Sequence, residues 1–274
     1  MRLTMVYSLA TVLLVFPALG ADAPKPYSSP YAVKFQHSEK ELLKDILDSE
    51  RGDPKAQSRI PFDEWDSTST RRRFGAWGPP LKTFDAPKAI AGKTVEWKRE
   101  RIIALGLRYR GYSYQHHHLP DWEPPADWPW KEVGHGKNAK GIDCSNFTTF
   151  LYEVSLGVRF TSAIVEQSQT TEATVDGKKV KFERIEKPKS LAECEKAFKT
   201  GDLLFIESKD GKVSHVVLWV GAIGGENPLI LDSTGTGHKD SRGEAIPDGV
   251  NLRPFRESGW YFQSLSHAHR IVLP

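Results

Sequence analysis

Apolar residues along this chain fall into two rhythms, one of helical period and one alternating. Ser38-Glu39-Lys40-Glu41 has the form of a capping box and is followed by Leu42, Leu43, Ile46 and Leu47, which predicts a helix that Gly52 stops. A second helix is predicted over about 94–107. A third begins at Cys144, where Phe147, Phe150, Leu151 and Val154 stand at i, i+3, i+4 and i+7, a strongly amphipathic pattern closed by Gly157. Ser190 and Glu193 make another capping box, opening a helix over 191–199 in which Leu191, Cys194 and Phe198 share one face. Strands are predicted over 180–185, 203–206, 213–220, 229–232, 250–253 and 267–273, with Asp210-Gly211 turning a hairpin between the second and third. Helices followed by strands joined through short turns predict an α+β domain, with the Cys144 helix packed on an antiparallel sheet.

Two stretches keep neither rhythm. Residues 21–90 carry eight of the chain's eighteen prolines and a basic cluster, Arg71-Arg72-Arg73. Beyond its one helix this tract reads as irregular chain lying over a neighbour: a pro-segment, an arm over a cleft, or simple packing. Residues 111–141 hold His116-His117-His118, four prolines, Trp122, Trp128 and Trp130. A loop of that length inside a compact domain is functional or disordered, and three tryptophans favour a packed loop beside a groove.

The start of the chain has the form of a secretory signal over 1–20. Arg2 precedes an apolar run over 9–16, and Ala18-Leu19-Gly20 places small residues at the cleavage point. The run is shorter than the roughly 20 residues a membrane-spanning helix needs, so stable membrane insertion is not expected. No cysteine lies near the cleavage point, which argues against a lipid anchor. The expected layout is a signal peptide at 1–20, a Pro-rich extension at 21–90 and one domain at 91–274, acting in the periplasm or outside the cell. A net charge of +3 gives no reason to expect nucleic acid as a partner, while the mildly basic balance suits loose contact with an anionic wall polymer.

Chemistry enters at Cys144. A thiol in the first turn of a helix has its thiolate favoured by the positive end of the helix dipole and by free backbone N–H groups. Asp143 is placed to cap that helix. Far along the chain, alternation puts His215 on one face of its strand with Val213, Val217 and Trp219, where a polar ring needs a partner. A thiolate would be one, completing a Cys–His nucleophilic pair; backbone groups would be another. Cys194 is expected as a small core residue, the alternative being a Cys144–Cys194 disulfide.

The segments Gly141-Ile142-Asp143-Cys144-Ser145-Asn146, Thr200-Gly201-Asp202-Leu203-Leu204-Phe205 and Val213-Ser214-His215-Val216-Val217-Leu218-Trp219-Val220 come in a telling order and spacing. Together they resemble the NlpC/P60 family of cell-wall cysteine peptidases, over about residues 95–274. Gly111-Tyr112-Ser113-Tyr114 is similar to that family's Pro-Tyr-x-aromatic segment. The resemblance implies a papain-like α+β core, with Cys144 as nucleophile and His215 as general base. Asp232 stands where the family places a third polar residue, usually a His; a carboxylate can orient His215 and stabilise its imidazolium. The other reading of Asp232 is a turn-initiating residue before Ser233-Thr234-Gly235. Tyr112 matches the tyrosine near the nucleophile, where it would donate to a developing oxyanion or simply pack in the core.

Many family members cleave the γ-D-glutamyl–diamino-acid bond of peptidoglycan stem peptides, so a wall peptide is the expected substrate and no cofactor or metal is implied. Ser145, His116 and Trp122 are the expected substrate contacts. Asn146 replaces a common glycine, and Gln115-His116 replace a common glycine pair; both change the cleft walls rather than the chemistry. Three alternatives stay open: a metal held by His116 and His118 or by His267 and His269, a non-catalytic wall-binding protein using its tryptophans, and amidase or transpeptidase action on another amide. The sequence does not define an oligomeric state.

Overall fold

The computed structural model describes residues 27–47, 84–111, 114, 142–225, 228–235 and 237–273. The signal-like segment at 1–20, most of the Pro-rich extension and the tryptophan-bearing loop lie outside them. The helices are α1 (Glu39–Leu47), α2 (Val95–Leu107), α3 (Cys144–Leu156), α4 (Ile164–Gln169), α5 (Leu191–Ala197) and α6 (Trp260–Gln263). The strands are β1 (Glu172–Val175), β2 (Lys178–Glu186), β3 (Leu203–Glu207), β4 (Val213–Trp219), β5 (Leu229–Thr234), β6 (His238–Lys239), β7 (Ala245–Ile246), β8 (Gly249–Pro254) and β9 (Leu265–Ile271). Seven of them form one antiparallel sheet in the order β1-β2-β9-β3-β4-β5-β8, and β6 pairs separately with β7.

The sheet is therefore α+β and antiparallel, as the alternation predicts, but it is not a chain-order meander. The last strand, β9, inserts between β2 and β3. Short alternating runs specify faces, not neighbours, so this crossing has no local signature. The sheet separates two apolar layers. Leu203, Phe205, Val216, Leu218, Leu231 and Leu252 face α2 and α3, packing with Phe147, Phe150 and Leu151. Leu204, Ile206, Val217, Trp219 and Ile230 face the other way, onto Cys194, Phe198, Tyr261 and Phe262. Where β3 meets β4 the register shifts between Ile206 and Glu207, with Ile206 opposite His215 and Glu207 opposite Val213. This bulge turns Val213 into the first layer, away from the face that strict alternation would assign it.

The amphipathic pattern of α3 does not correspond to a solvent-facing stripe, because every residue from Cys144 to Leu156 is buried. Its polar side is covered by other protein groups. Gln167 of α4 donates to Thr149 Oγ1 at 3.0 Å and to the Thr161 carbonyl at 3.1 Å. The Phe84 N–H donates to Glu153 Oε1 at 3.0 Å, and Arg159 Nε sits 3.3 Å from the same oxygen. Gly157 ends α3 with φ +71°, and a Cβ there would lie 2.3 Å from the Ala86 nitrogen, so only glycine lets residues 84–86 pass so close.

α1 is bound just as closely. Leu42 and Leu43 are fully buried in the first layer. Arg101 of α2, itself fully buried, makes a two-pronged pair with Asp45, Nη1 to Oδ1 and Nη2 to Oδ2, each at 2.7 Å. The same guanidinium donates to the Ser155 carbonyl through Nε at 2.9 Å and to the Leu42 carbonyl. Glu100 accepts from the Gln36 and His37 N–H groups at 2.8 and 3.1 Å. Among the described residues, no helix is long and apolar enough to cross a membrane.

Candidate active site

The site forms where two neighbouring strands part. β4 and β5 pair only at Leu218–Leu231 and Trp219–Ile230, whereas β5 and β8 stay paired over the full length of β5, from Leu229 to Thr234. Beyond the two shared pairs, β5 carries Asp232 and Ser233 on opposite faces. The Ser233 hydroxyl donates to the Ile142 carbonyl at 2.6 Å, which fixes the chain entering α3. Asp232 turns the other way, and its Oδ1 lies 2.9 Å from His215 Nε2. Two successive residues of one strand thus locate the segment that presents the thiol and the ring that meets it.

Asp143 caps α3. Its Oδ1 accepts the Asn146 N–H at 2.9 Å and its Oδ2 accepts the Asn146 side-chain amide at 2.8 Å. Asn146, in place of a common glycine, therefore strengthens the cap. The Ser145 hydroxyl also leans on Asp143, at 3.3 Å, so this side chain supports the helix start. The first intrahelical bond runs from the Phe147 N–H to the Asp143 carbonyl, and neither this bond nor the cap uses the N–H groups of Cys144 and Ser145.

The Cys144 thiol lies near enough to the His215 ring to favour its charged form. The contact of His215 Nε2 with Asp232 Oδ1 is close but poorly aligned for a hydrogen bond, so its strength is chiefly that of two charges at 2.9 Å. With Nε2 facing Asp232, Nδ1 is the nitrogen left for the thiol. Burial alone would lower the His215 pKa, yet the Asp232 charge, followed by Cys144, raises it well above the ordinary imidazole value. Burial likewise works against an ionised Asp232, and His215 and then Arg253 overcome it, leaving this carboxyl below the usual range. The sequence-predicted Cys144, His215 and Asp232 are thus brought together, and Asp232 is a fully engaged carboxylate rather than a turn residue.

Three further groups surround Asp232. The Tyr261 hydroxyl donates to its Oδ2 at 2.5 Å, and His238 Nε2 lies 3.1 Å from the same hydroxyl. Arg253 Nε is 3.7 Å from Oδ2, with both side chains fully buried. The half-exposed Trp260 ring lies 5.7 Å from His215, centroid to centroid. Sequence reading missed all four. The aromatic run Trp260-Tyr261-Phe262 after Gly259 was the available signal, but nothing local ties it to residue 232. Tyr114 is another such neighbour: burial raises its pKa, followed by the negative charges of Cys144, Asp143 and Asp232.

Tyr112, His116 and Trp122 lie outside the described residues. Cys194 sits fully buried in the second layer, both cysteines are free, and burial pushes the Cys194 thiol up to about 12. His267 and His269 do point the same way, their rings 4.9 Å apart, but they stack on Phe205 and Phe182. Among the described residues, no three His, Cys, Asp or Glu side chains are grouped to hold a metal ion.

Residues 132–266 match the family model described as NlpC/P60 family. No curated protein matches the chain. Two solved structures are similar at low identity. An NlpC/P60 family protein from Bacillus cereus shares 21% identity with a TM-score of 0.38; the alignment covers 64% of this chain and 40% of that protein, so this chain spans well under half its length. The NlpC/p60 domain of the peptidoglycan hydrolase SagA shares 20% identity with a TM-score of 0.33, over 63% of this chain and 97% of the domain. The matched span of residues 132–266 holds Cys144, His215 and Asp232 in chain order, and over this stretch the chain carries an NlpC/P60-like domain.

Proposed function

We propose that the protein is an exported cysteine peptidase that hydrolyses an amide bond of peptidoglycan stem peptides, of the γ-D-glutamyl–diamino-acid type. The observation that carries this reading is the His215 ring held between Cys144 and Asp232 at the positive end of α3. The SagA domain, described as part of a peptidoglycan hydrolase, is in keeping with such a substrate. Export rests on the signal-like pattern at residues 1–20.

The chemistry follows from the groups present. His215 takes the Cys144 proton, and Asp232 stabilises the imidazolium so formed. The thiolate attacks the amide carbonyl carbon, a C–S bond forms, and negative charge collects on the oxygen. The Cys144 and Ser145 N–H groups stand at the helix terminus for that oxygen, and Tyr112 is assigned as a further donor from the sequence pattern. As the C–N bond breaks, His215 returns its proton to the leaving amine. Water then attacks the thioester with His215 as base, releasing the acid and restoring the thiol. His116 and Trp122 are assigned to the walls of the peptide cleft on the same sequence grounds.

The test is mass spectrometry of peptidoglycan stem-peptide fragments incubated with wild-type protein and with Cys144→Ala. Cleavage by wild type alone, at the D-glutamyl–diamino-acid bond, is expected. Equal cleavage by Cys144→Ala, or none by wild type with its thiol intact, would overturn the assignment.

A further inference from the structure

We infer that Tyr261 is a positioning residue for the proposed reaction, holding the Asp232 carboxylate against His215, and that His238 fixes the direction in which the Tyr261 hydroxyl points its proton. The inference rests on the Cys144–His215–Asp232 reading and extends it to the residues behind the Asp232 carboxylate.

The argument is one of donors and acceptors. Asp232 is almost wholly buried, and an ionised carboxylate only accepts. Its Oδ1 faces His215 and its Oδ2 receives the Tyr261 hydroxyl at 2.5 Å. A phenol has one proton, so with that proton given to Asp232 the 3.1 Å contact with His238 Nε2 requires the imidazole to donate. His238 is therefore protonated on Nε2. Burial, followed by the Arg253 charge, lowers its pKa to about 4, so near neutrality it makes this donation as an uncharged ring. The proton order then runs His238 to Tyr261 to Asp232, with His215 approaching the same carboxylate from the other side.

Geometry gives Tyr261 more influence than a distant ring would have. The His215–Asp232 contact is close but poorly aligned, so whatever fixes the rotation of the carboxylate fixes how well it serves the imidazolium. Arg253 neutralises charge from 3.7 Å but donates instead to the Pro247 and Gly249 carbonyls, at 2.9 and 3.1 Å. It supplies field without a direct hydrogen bond to the carboxylate. Tyr261 supplies the direction. His238 comes from the small β6–β7 hairpin, stacks on Tyr261 with centroids 4.8 Å apart, and fixes the phenol in turn. The other ionisable groups acting on this cluster are Cys144 and Asp143 at the start of α3, Tyr114, and Asp248 beside β8.

The test needs no substrate at its core. The pH dependence of Cys144 alkylation by iodoacetamide, followed on the Cys144 peptide by mass spectrometry, is measured for wild type, Tyr261→Phe, His238→Leu and His238→Gln. Wild type is expected to show a plateau of thiolate reactivity bounded by an acid and an alkaline limb. Tyr261→Phe keeps the ring and the fold but narrows that plateau by about one pH unit in total, and stem-peptide kcat falls about tenfold with KM within twofold. His238→Leu moves the same way by less, and His238→Gln, whose amide can still donate, restores the wild-type profile. Superimposable profiles for wild type and Tyr261→Phe would overturn the inference while leaving the nucleophile assignment standing. A wild-type Cys144 that reacts as an ordinary thiol, with no plateau, would sink that assignment and the inference with it. Should Tyr261→Phe fail to fold, the His238 pair decides, since equal profiles for Leu and Gln overturn the relay.

Discussion

His215 and the pair His267–His269 occupy opposite faces of one sheet, and all three are buried, at 7%, 3% and 3% exposure. Their protonation goes in opposite directions. Burial opposes the charged ring in every case. At His215 a carboxylate at 2.9 Å overrides it, and the pKa rises well above the ordinary value. His267 meets only uncharged partners, the Ser168 carbonyl 2.9 Å from Nε2 and the Ser266 hydroxyl 3.1 Å from Nδ1, and burial keeps its pKa low. His269 stacks on Phe182, and burial together with the neighbouring His267 brings it to about 4. Depth in the protein therefore does not decide whether a histidine carries charge; the group beside it does.

Removing the carboxylate is the strongest way to break that contrast. Asp232→Asn should leave His215 as neutral as His269 and lower kcat roughly 10⁴-fold, as carboxylate loss does in comparable triads, with the chain still folded by circular dichroism. The two faces should also answer pH with opposite signs. A histidine whose folded pKa is raised stabilises the fold fully below the unfolded value of about 6.5, and this is lost as pH rises through the folded pKa. A lowered one stabilises fully above about 6.5, and this is lost as pH falls toward the folded pKa, here about 4 for His269. His269→Phe should therefore flatten the fall of Tm between pH 6.5 and 4, while Asp232→Asn should not. The smallest effect concerns the second thiol. Cys194→Ala should cost about 1–2 kcal/mol of stability through lost packing in the second layer, and leave kcat and the rate of Cys144 alkylation unchanged.

What the sequence disclosed and what it withheld divide along the same physical line. The Asp143 cap, the α3 hydrophobic spacing and the alternation of β4 from His215 onward are local patterns, so they were legible, whereas the bulge that displaces Val213 was not. Cys144, His215 and Asp232 followed because the chain holds them in a recognisable order. Tyr261, Arg253 and His238 come from a four-residue helix, a sheet-edge strand and a two-residue strand, and meet only through the β9 insertion and the β5–β8 pairing. No spacing rule links them. The burial of the polar side of α3 was hidden for the same reason: its covers, Phe84, Gln167 and Arg159, are non-local.

The two-pronged pair between Arg101 and Asp45 bears on how this chain could be divided by recombination. Composition marks a seam near residue 90, where the proline-rich tract gives way to regular helix. Electrostatics does not respect it. A chain opened at that seam would leave the Arg101 guanidinium without its carboxylate partner, because both oxygens that balance it belong to α1. The smallest inheritable unit with its inner charges matched begins ahead of the apparent boundary, and any shuffling event that keeps the thiol and the imidazole must take α1 along.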